Sequence, residues 1–166
     1  MDTLFPPPPP FRLDVDPNTV RRCDARALGA GEARAKPVAC AEELIGGTQA
    51  AGQVGDYLLE NDRIRVILQA PGPSFTTAGL GGGNILDADV VRAPGEAGQD
   101  LLREHNVMVG WMAVNAEQMG VTGAGGSGTA QVRVIGRTLV WGFVSTLLPA
   151  LDVIGKHKDP RAVAIL

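Results

Sequence analysis

Four carboxylates crowd one short stretch of this chain: Asp87, Asp89, Glu96 and Asp100. Hard oxygen ligands at such density suit Ca²⁺. Asp87 and Asp89 are two residues apart, so on an extended strand both carboxylates share a face, roughly 7 Å from each other. The spacing fits no EF-hand loop, and a solvated acidic face is the competing reading. To act as a general acid and base, the pair would also need burial, which spacing alone does not supply.

The other chemically able residues are scattered. Cys23 and Cys40 are the only cysteines. In an exported protein they can form one disulfide with a chain-entropy worth of about 3 kcal/mol; in a reducing cytosol they stay as thiols. Neither lies in a C-x-x-C frame or at metal spacing from a histidine. Trp111, Trp141 and Tyr57 can stack on a sugar ring if exposed, and belong to the core if not. His105 and His157 sit in no His-x-x-x-His or His-x-Glu frame, and no serine occupies a G-x-S-x-G elbow. Gly79-Leu80-Gly81-Gly82-Gly83 lacks the following helix of a dinucleotide loop, and the Gly-rich 123–129 stretch lacks the lysine of a phosphate loop, so both read as turns or flexible loops. These residues name no catalytic group, no bound organic cofactor and only Ca²⁺ as a candidate ion. They lean against an enzyme.

Composition narrows the partners. The chain has 166 residues and a formal net charge of −3. It offers no basic face to displace counterions from a nucleic-acid backbone, so a nucleic-acid partner is not expected. Hydrophobic residues make up 45% of the chain, enough for a core, while Gly (22) and Pro (12) cut it into short pieces. Many short pieces suit strands better than long helices. The apolar stretch 139–154 is shorter than a membrane span and holds Pro149 and Asp152, so it reads as buried strand and no transmembrane span is expected. Met1-Asp2 and the prolines from Pro6 to Pro10 do not make a signal peptide. The protein is therefore cytoplasmic, or else extracellular or envelope-bound with its native start missing.

These residues need elements to hold them. Residues 1–40 read as a Pro-rich, weakly structured tail, with the 11–16 stretch as one alternating edge strand. Residues 41–166 read as a β-rich domain. Residues 41–45 suggest a helical turn or strand lead-in. Residues 55–60 and 63–69 alternate around Asn61-Asp62, a period-2 pattern with two turn formers, and predict a β-hairpin. Residues 84–91 predict a strand whose aspartates face solvent or a loop. A short helix then a strand fits 101–119, a flexible loop fits 120–128, and a strand fits 129–135 with Gly136 turning it. The chain closes on an apolar, strand-like run at 162–166, which points to a truncated domain. The fold class expected is mainly β, an antiparallel sandwich-like domain.

Three motifs carry a resemblance. Gly55-Asp56-Tyr57-Leu58-Leu59-Glu60-Asn61-Asp62-Arg63-Ile64-Arg65-Val66-Ile67, then Gly82-Gly83-Asn84-Ile85-Leu86-Asp87-Ala88-Asp89-Val90-Val91-Arg92, then Pro94-Gly95-Glu96-Ala97-Gly98-Gln99-Asp100, are together similar to the N-terminal β-domain of myxobacterial-type lipoproteins and surface proteins. The likeness covers about 70 residues and implies export, with no lipobox or signal sequence here to match. The strand followed by Gly-Gly-Asn-Ile-Leu-Asp also resembles, more weakly, the start of galactose-mutarotase-like β-supersandwich domains, whose catalytic His and Glu find no counterpart in this chain. The first likeness implies a non-catalytic structural or binding module of an exported or cell-envelope protein, with glycans or cell-surface components as partners. The second implies a carbohydrate-binding or carbohydrate-active domain fragment.

Overall fold

The computed structural model describes residues 13–16, 18–74, 81–109, 112–140 and 161–165. Their architecture is mainly β. Eight strands run β1 (Ala33–Pro37), β2 (Tyr57–Asn61), β3 (Ile64–Leu68), β4 (Ile85–Val90), β5 (Met108–Val109), β6 (Met112–Gly126), β7 (Ala130–Val140) and β8 (Arg161–Ile165). All pairings are antiparallel, in the order β4-β3-β2-β1-β6-β7-β8, with β5 added beside β6. A single 3-10 turn, Ala41–Glu43, is the helical element among the described residues.

The hairpin at Asn61-Asp62 forms as its alternation predicts. Tyr57 faces Leu68 and Glu60 faces Arg65 across it. The Asn61 side chain accepts bonds from the Arg63 and Ile64 amides, 2.8 and 2.9 Å away, which closes the turn. One sheet folds on itself rather than two sheets stacking. β1 meets β6 over only two residue pairs, Ala33 with Gly126 and Arg34 with Gly125. A Cβ on Gly125 would lie 2.0 Å from the Ala33 carbonyl, and its φ is +103°, so only glycine lets the strands meet at this corner. Past it, β6 and β7 fold back over β1–β3. Ala35 and Leu68 from one arm pack with Met119, Val121, Val132 and Val134 from the other. The Tyr57 hydroxyl donates to the Met119 carbonyl at 2.9 Å and joins the arms.

Several expectations need correction. β1, placed in the weakly structured tail, is a central strand. It holds that place because β2 and β6 satisfy both its edges. Residues 13–16 form no strand, although the Asp16 amide donates to the Val121 carbonyl at 2.7 Å. The Gly-rich 120–128 stretch is not a loop. Its residues to Gly126 are strand, and only Ser127-Gly128 turn. Gly81, Gly82 and Gly83 form a buried turn, the first of the two readings of that cluster. No helix forms at 101–109. Gly136 does not end β7, which runs on to Val140. A Cβ there would lie 2.1 Å from the Asn115 carbonyl, so the missing side chain serves close strand approach beside the bulge at Ala116/Gln118. The terminal run pairs with β7 as β8. Residues 141–154 of the apolar stretch and residues 1–12 lie outside the described residues.

Gly136→Ala is expected to cost about 1–3 kcal/mol in urea unfolding, as overpacking does. Gly128→Ala, whose Cβ would find only the Gly125 carbonyl at 3.7 Å, is expected to stay within about 0.5 kcal/mol.

Candidate functional site

The strand register lines up charges. On one face of the β1–β4 arm, Arg34 lies opposite Glu60, Glu60 opposite Arg65, and Arg65 opposite Asp89. The row reads plus, minus, plus, minus across four strands, which is the favourable order for cross-strand pairs. The next row on this face runs Lys36, Leu58, Ile67, Asp87, each at most 2% exposed. Two apolar residues occupy its middle and an ionisable side chain each end.

Those end charges are buried, so each needs partners. Lys36 pairs with Glu43 of the 3-10 turn, and its Nζ also donates to the Arg22 carbonyl at 2.6 Å. Glu43 accepts further bonds from the Asp24 and Ala39 amides, each at 2.6 Å. Burial works to raise the Glu43 pKa, but the Ala39 amide, the Lys36 ammonium and the Asp24 amide outweigh it, and the pKa is lowered.

The same cations hold a strap. Residues 22–28 cross over the charged face, tied there by five bonds. Cys23 and Cys40 form a disulfide with Cα atoms 5.4 Å apart. Asp24 donates its amide to Glu43 and pairs its carboxylate with Arg34 at 2.9 Å. The Arg26 and Arg22 carbonyls accept from Arg34 (3.1 Å) and Lys36. Arg34 Nε also donates to Glu60 at 2.7 Å, while Glu60 Oε2 accepts from Arg65 at 2.8 Å and Arg65 reaches the Glu43 carbonyl at 2.7 Å.

Between the strap and residues 90–98 lies a cleft of about 420 Å³. Arg34, Glu60, Arg65 and Asp89 form its floor, and Leu28 and Val91 stand among its apolar walls. Arg26, Arg34, Arg65 and Arg92 balance Glu42, Glu60, Asp89 and Glu96, so the lining is neutral overall. It contains no serine, cysteine or histidine among the described residues. The floor charges are paired, Arg34 and Arg65 with Glu60, and Asp89 with Arg92.

The four carboxylates expected to share Ca²⁺ do not converge. No three of them come together among the described residues. Asp89 is taken by Arg92 through two bonds of 2.7 and 2.6 Å, and by the Gln99 amide at 2.9 Å. The Arg92 side chain, with those amide bonds against burial, lowers its pKa to about 2. Glu96 is exposed and caps the Ala93 amide. Asp87 is fully buried rather than solvated. Its oxygens accept from the Ala51 and Gly52 amides at 2.7 and 2.9 Å, so it faces a loop. Asp100, also fully buried, accepts from the Ala88 amide on the free edge of β4 at 2.9 Å. Burial raises the Asp87 pKa against those amide bonds, and Asp100 and Asp56 add to the rise. The carboxylates thus take up backbone amides where, among the described residues, β4 has beside it only the Ile85–His105 bridge and the 46–56 loop has no strand. Trp111 and Trp141 lie outside the described residues.

Of the residues that build the cleft, Asp89 and Glu96 are legible in the sequence only as candidate calcium ligands, and Arg34, Glu60 and Arg65 carry no such mark. The signal was there in Arg34-x-Lys36 and Asp87-x-Asp89, charges spaced by two on strands, but only the register shows that Arg34 and Asp89 face opposite signs while Lys36 and Asp87 face Leu58 and Ile67.

No known protein family, curated protein or solved structure matches this chain. The site therefore rests on its own geometry. No helix among the described residues is long and apolar enough to cross a membrane.

Lys36→Met leaves Glu43 buried without its cation and is expected to cost about 3–5 kcal/mol in urea unfolding near neutral pH. The Glu43 pKa is lowered in the fold, so its contribution is present above the ordinary carboxylate range and lost as pH falls through the folded value. The cost of Lys36→Met should therefore shrink on acidification. Arg92→Met follows the same sign through Asp89: its destabilisation should be full above about pH 4, where an unfolded aspartate is ionised, and vanish as pH falls through about 2.

Proposed function

We propose that this protein is a non-catalytic binding or structural module that works outside the reducing cytosol, as part of an exported or cell-envelope protein. The Cys23–Cys40 disulfide carries the reading. Disulfides persist in oxidising compartments and are rare where thiol reductants are maintained. This one ties the strap to the start of the 3-10 turn, next to the buried Lys36–Glu43 pair. The strap in turn forms one wall of the charged cleft. A cleft with a paired ionic floor and apolar walls suits contact with a polar partner at a cell surface. The motif likeness to the N-terminal domains of myxobacterial-type lipoproteins supports the same compartment.

Alkylation of the protein as isolated from its native source, followed by mass spectrometry, tests this. Cys23 and Cys40 should be protected until a reductant is added. Free thiols in native material would remove the export reading. Glycan-array binding that depends on Trp111 or Trp141 would replace the module reading with the carbohydrate one.

A further inference from the structure

Cys23 Sγ, Cys40 Sγ and a carboxylate oxygen of Glu42 lie within 4.8 Å of one another. The Cys23 sulfur is 3.9 Å from Glu42 Oε2. A tetrahedral Zn²⁺ has bonds of about 2.3 Å to sulfur and about 2.0–2.2 Å to oxygen, which places neighbouring ligand atoms about 3.5–3.8 Å apart. The sulfur–carboxylate spacing is already close to that. The two sulfurs are bonded in this structure, with Cα atoms 5.4 Å apart, and must part to the ligand spacing once the bond between them is gone.

We propose that the reduced protein holds Zn²⁺ at Cys23, Cys40 and Glu42, with water in the fourth position, so that the strap is fastened by metal where it is not fastened by sulfur. A dithiol reductant delivers two electrons and two protons. The S–S bond breaks, two thiols form, and the reductant leaves as its own disulfide. Zn²⁺ then displaces the two thiol protons to solvent and forms two Zn–S bonds and one Zn–O bond. Glu42 and Glu43 are adjacent on the 3-10 turn but do different work. Glu43 points into the buried cluster, while Glu42 is exposed beside the sulfurs. The metal therefore needs no rearrangement of the Lys36–Glu43 pair. Thiolate pairs with one carboxylate favour Zn²⁺ over Ca²⁺ or Mg²⁺, which prefer oxygen throughout. The inference goes beyond the proposed compartment, since it concerns the state that the chain adopts when the disulfide is opened.

The experiment uses the full chain, reduced and freed of reductant, titrated with Co²⁺ and then Zn²⁺. One equivalent of Co²⁺ should produce a thiolate-to-cobalt absorption band, and Zn²⁺ should abolish it. Cys23→Ser/Cys40→Ser should lose the band, and Glu42→Gln should weaken binding tenfold or more, in the range that lost ligand-shell groups cost. Hydrogen exchange at residues 22–26 should rise on reduction and fall again with Zn²⁺, while β2 and β3 stay protected. Absence of the band, binding unchanged by Glu42→Gln, or loss of β2 and β3 protection on reduction would each overturn the assignment.

Discussion

A buried ammonium and a buried carboxylate hold the covered face of this sheet together. Lys36 and Glu43 are 2% and 0% exposed. Left alone at such a place, the ammonium would lose its proton and the carboxylate would gain one, or the segment would unfold, because removing an ion from water costs several kcal/mol even after relaxation. The pair is tolerated because both members have further hydrogen-bond partners besides each other. Lys36 reaches Glu43 and the Arg22 carbonyl, and Glu43 reaches two amides besides. Those partners come from β1, the 3-10 turn and the strap. Satisfying one ion pair thereby fixes three segments of chain at once, and sets where the wall of the cleft must stand.

The same logic extends outward at lower cost. Arg34 ties β1 to β2 through Glu60 and to the strap through Asp24 and the Arg26 carbonyl. Arg65 ties β3 to β2 and to the Glu43 carbonyl. Where a sheet face is covered by loops rather than by another sheet, the loops bring backbone amides and carbonyls that need partners. Charged side chains with several donors or acceptors meet that need better than apolar ones. Asp56, Asp87 and Asp100 do this for the 46–56 loop and for the free edge of β4, where the Asp56 carboxylate accepts from the Gln53 and Ala70 amides. Covering an edge in this way also removes a template for strand pairing with another chain.

The sequence disclosed the local part of this design. The period-2 run around Asn61-Asp62 and the strand containing Asp87 were legible, since alternation and turn chemistry are properties of neighbours in the chain. The mainly β class followed from them. What was not legible is which face lies under cover. The alternation of Arg65 with Val66 reads as a polar side exposed to water, yet at the C-terminal end of β3 both sides are covered and Ile67 and Leu68 are each buried, while Ile64 at its start is 50% exposed. Burial of Asp87 depends on a loop more than thirty residues upstream. β1 was missed because Ala33–Pro37 is short, ends in proline and has little apolar bulk. Its place comes from the strands on either side. The glycines misled for a similar reason. In isolation Gly120, Gly123 and Gly125 look like a flexible loop, but Gly123 and Gly125 lie where backbone approaches the strand too closely for a Cβ, and Gly120 lies under the Leu13 and Val15 side chains.

The disulfide and the ion pair stand side by side because they act on different states. The bond between Cys23 and Cys40 limits the unfolded chain, with a loop-closure worth of about 3 kcal/mol. It does nothing to position a carboxylate in the folded protein. The Lys36–Glu43 pair does the reverse. It orients the strap and the turn once folded, but gains nothing unless the strap is already near. Closing the loop raises the local concentration of the Arg22 and Asp24 backbone groups around Lys36 and Glu43, which lowers the entropic cost of completing their bonds. An uncompleted set would leave a buried charge short of partners, which carries a penalty of its own. The rigid wall of the cleft is thus a product of the two constraints together, the covalent one supplying proximity and the ionic one supplying direction.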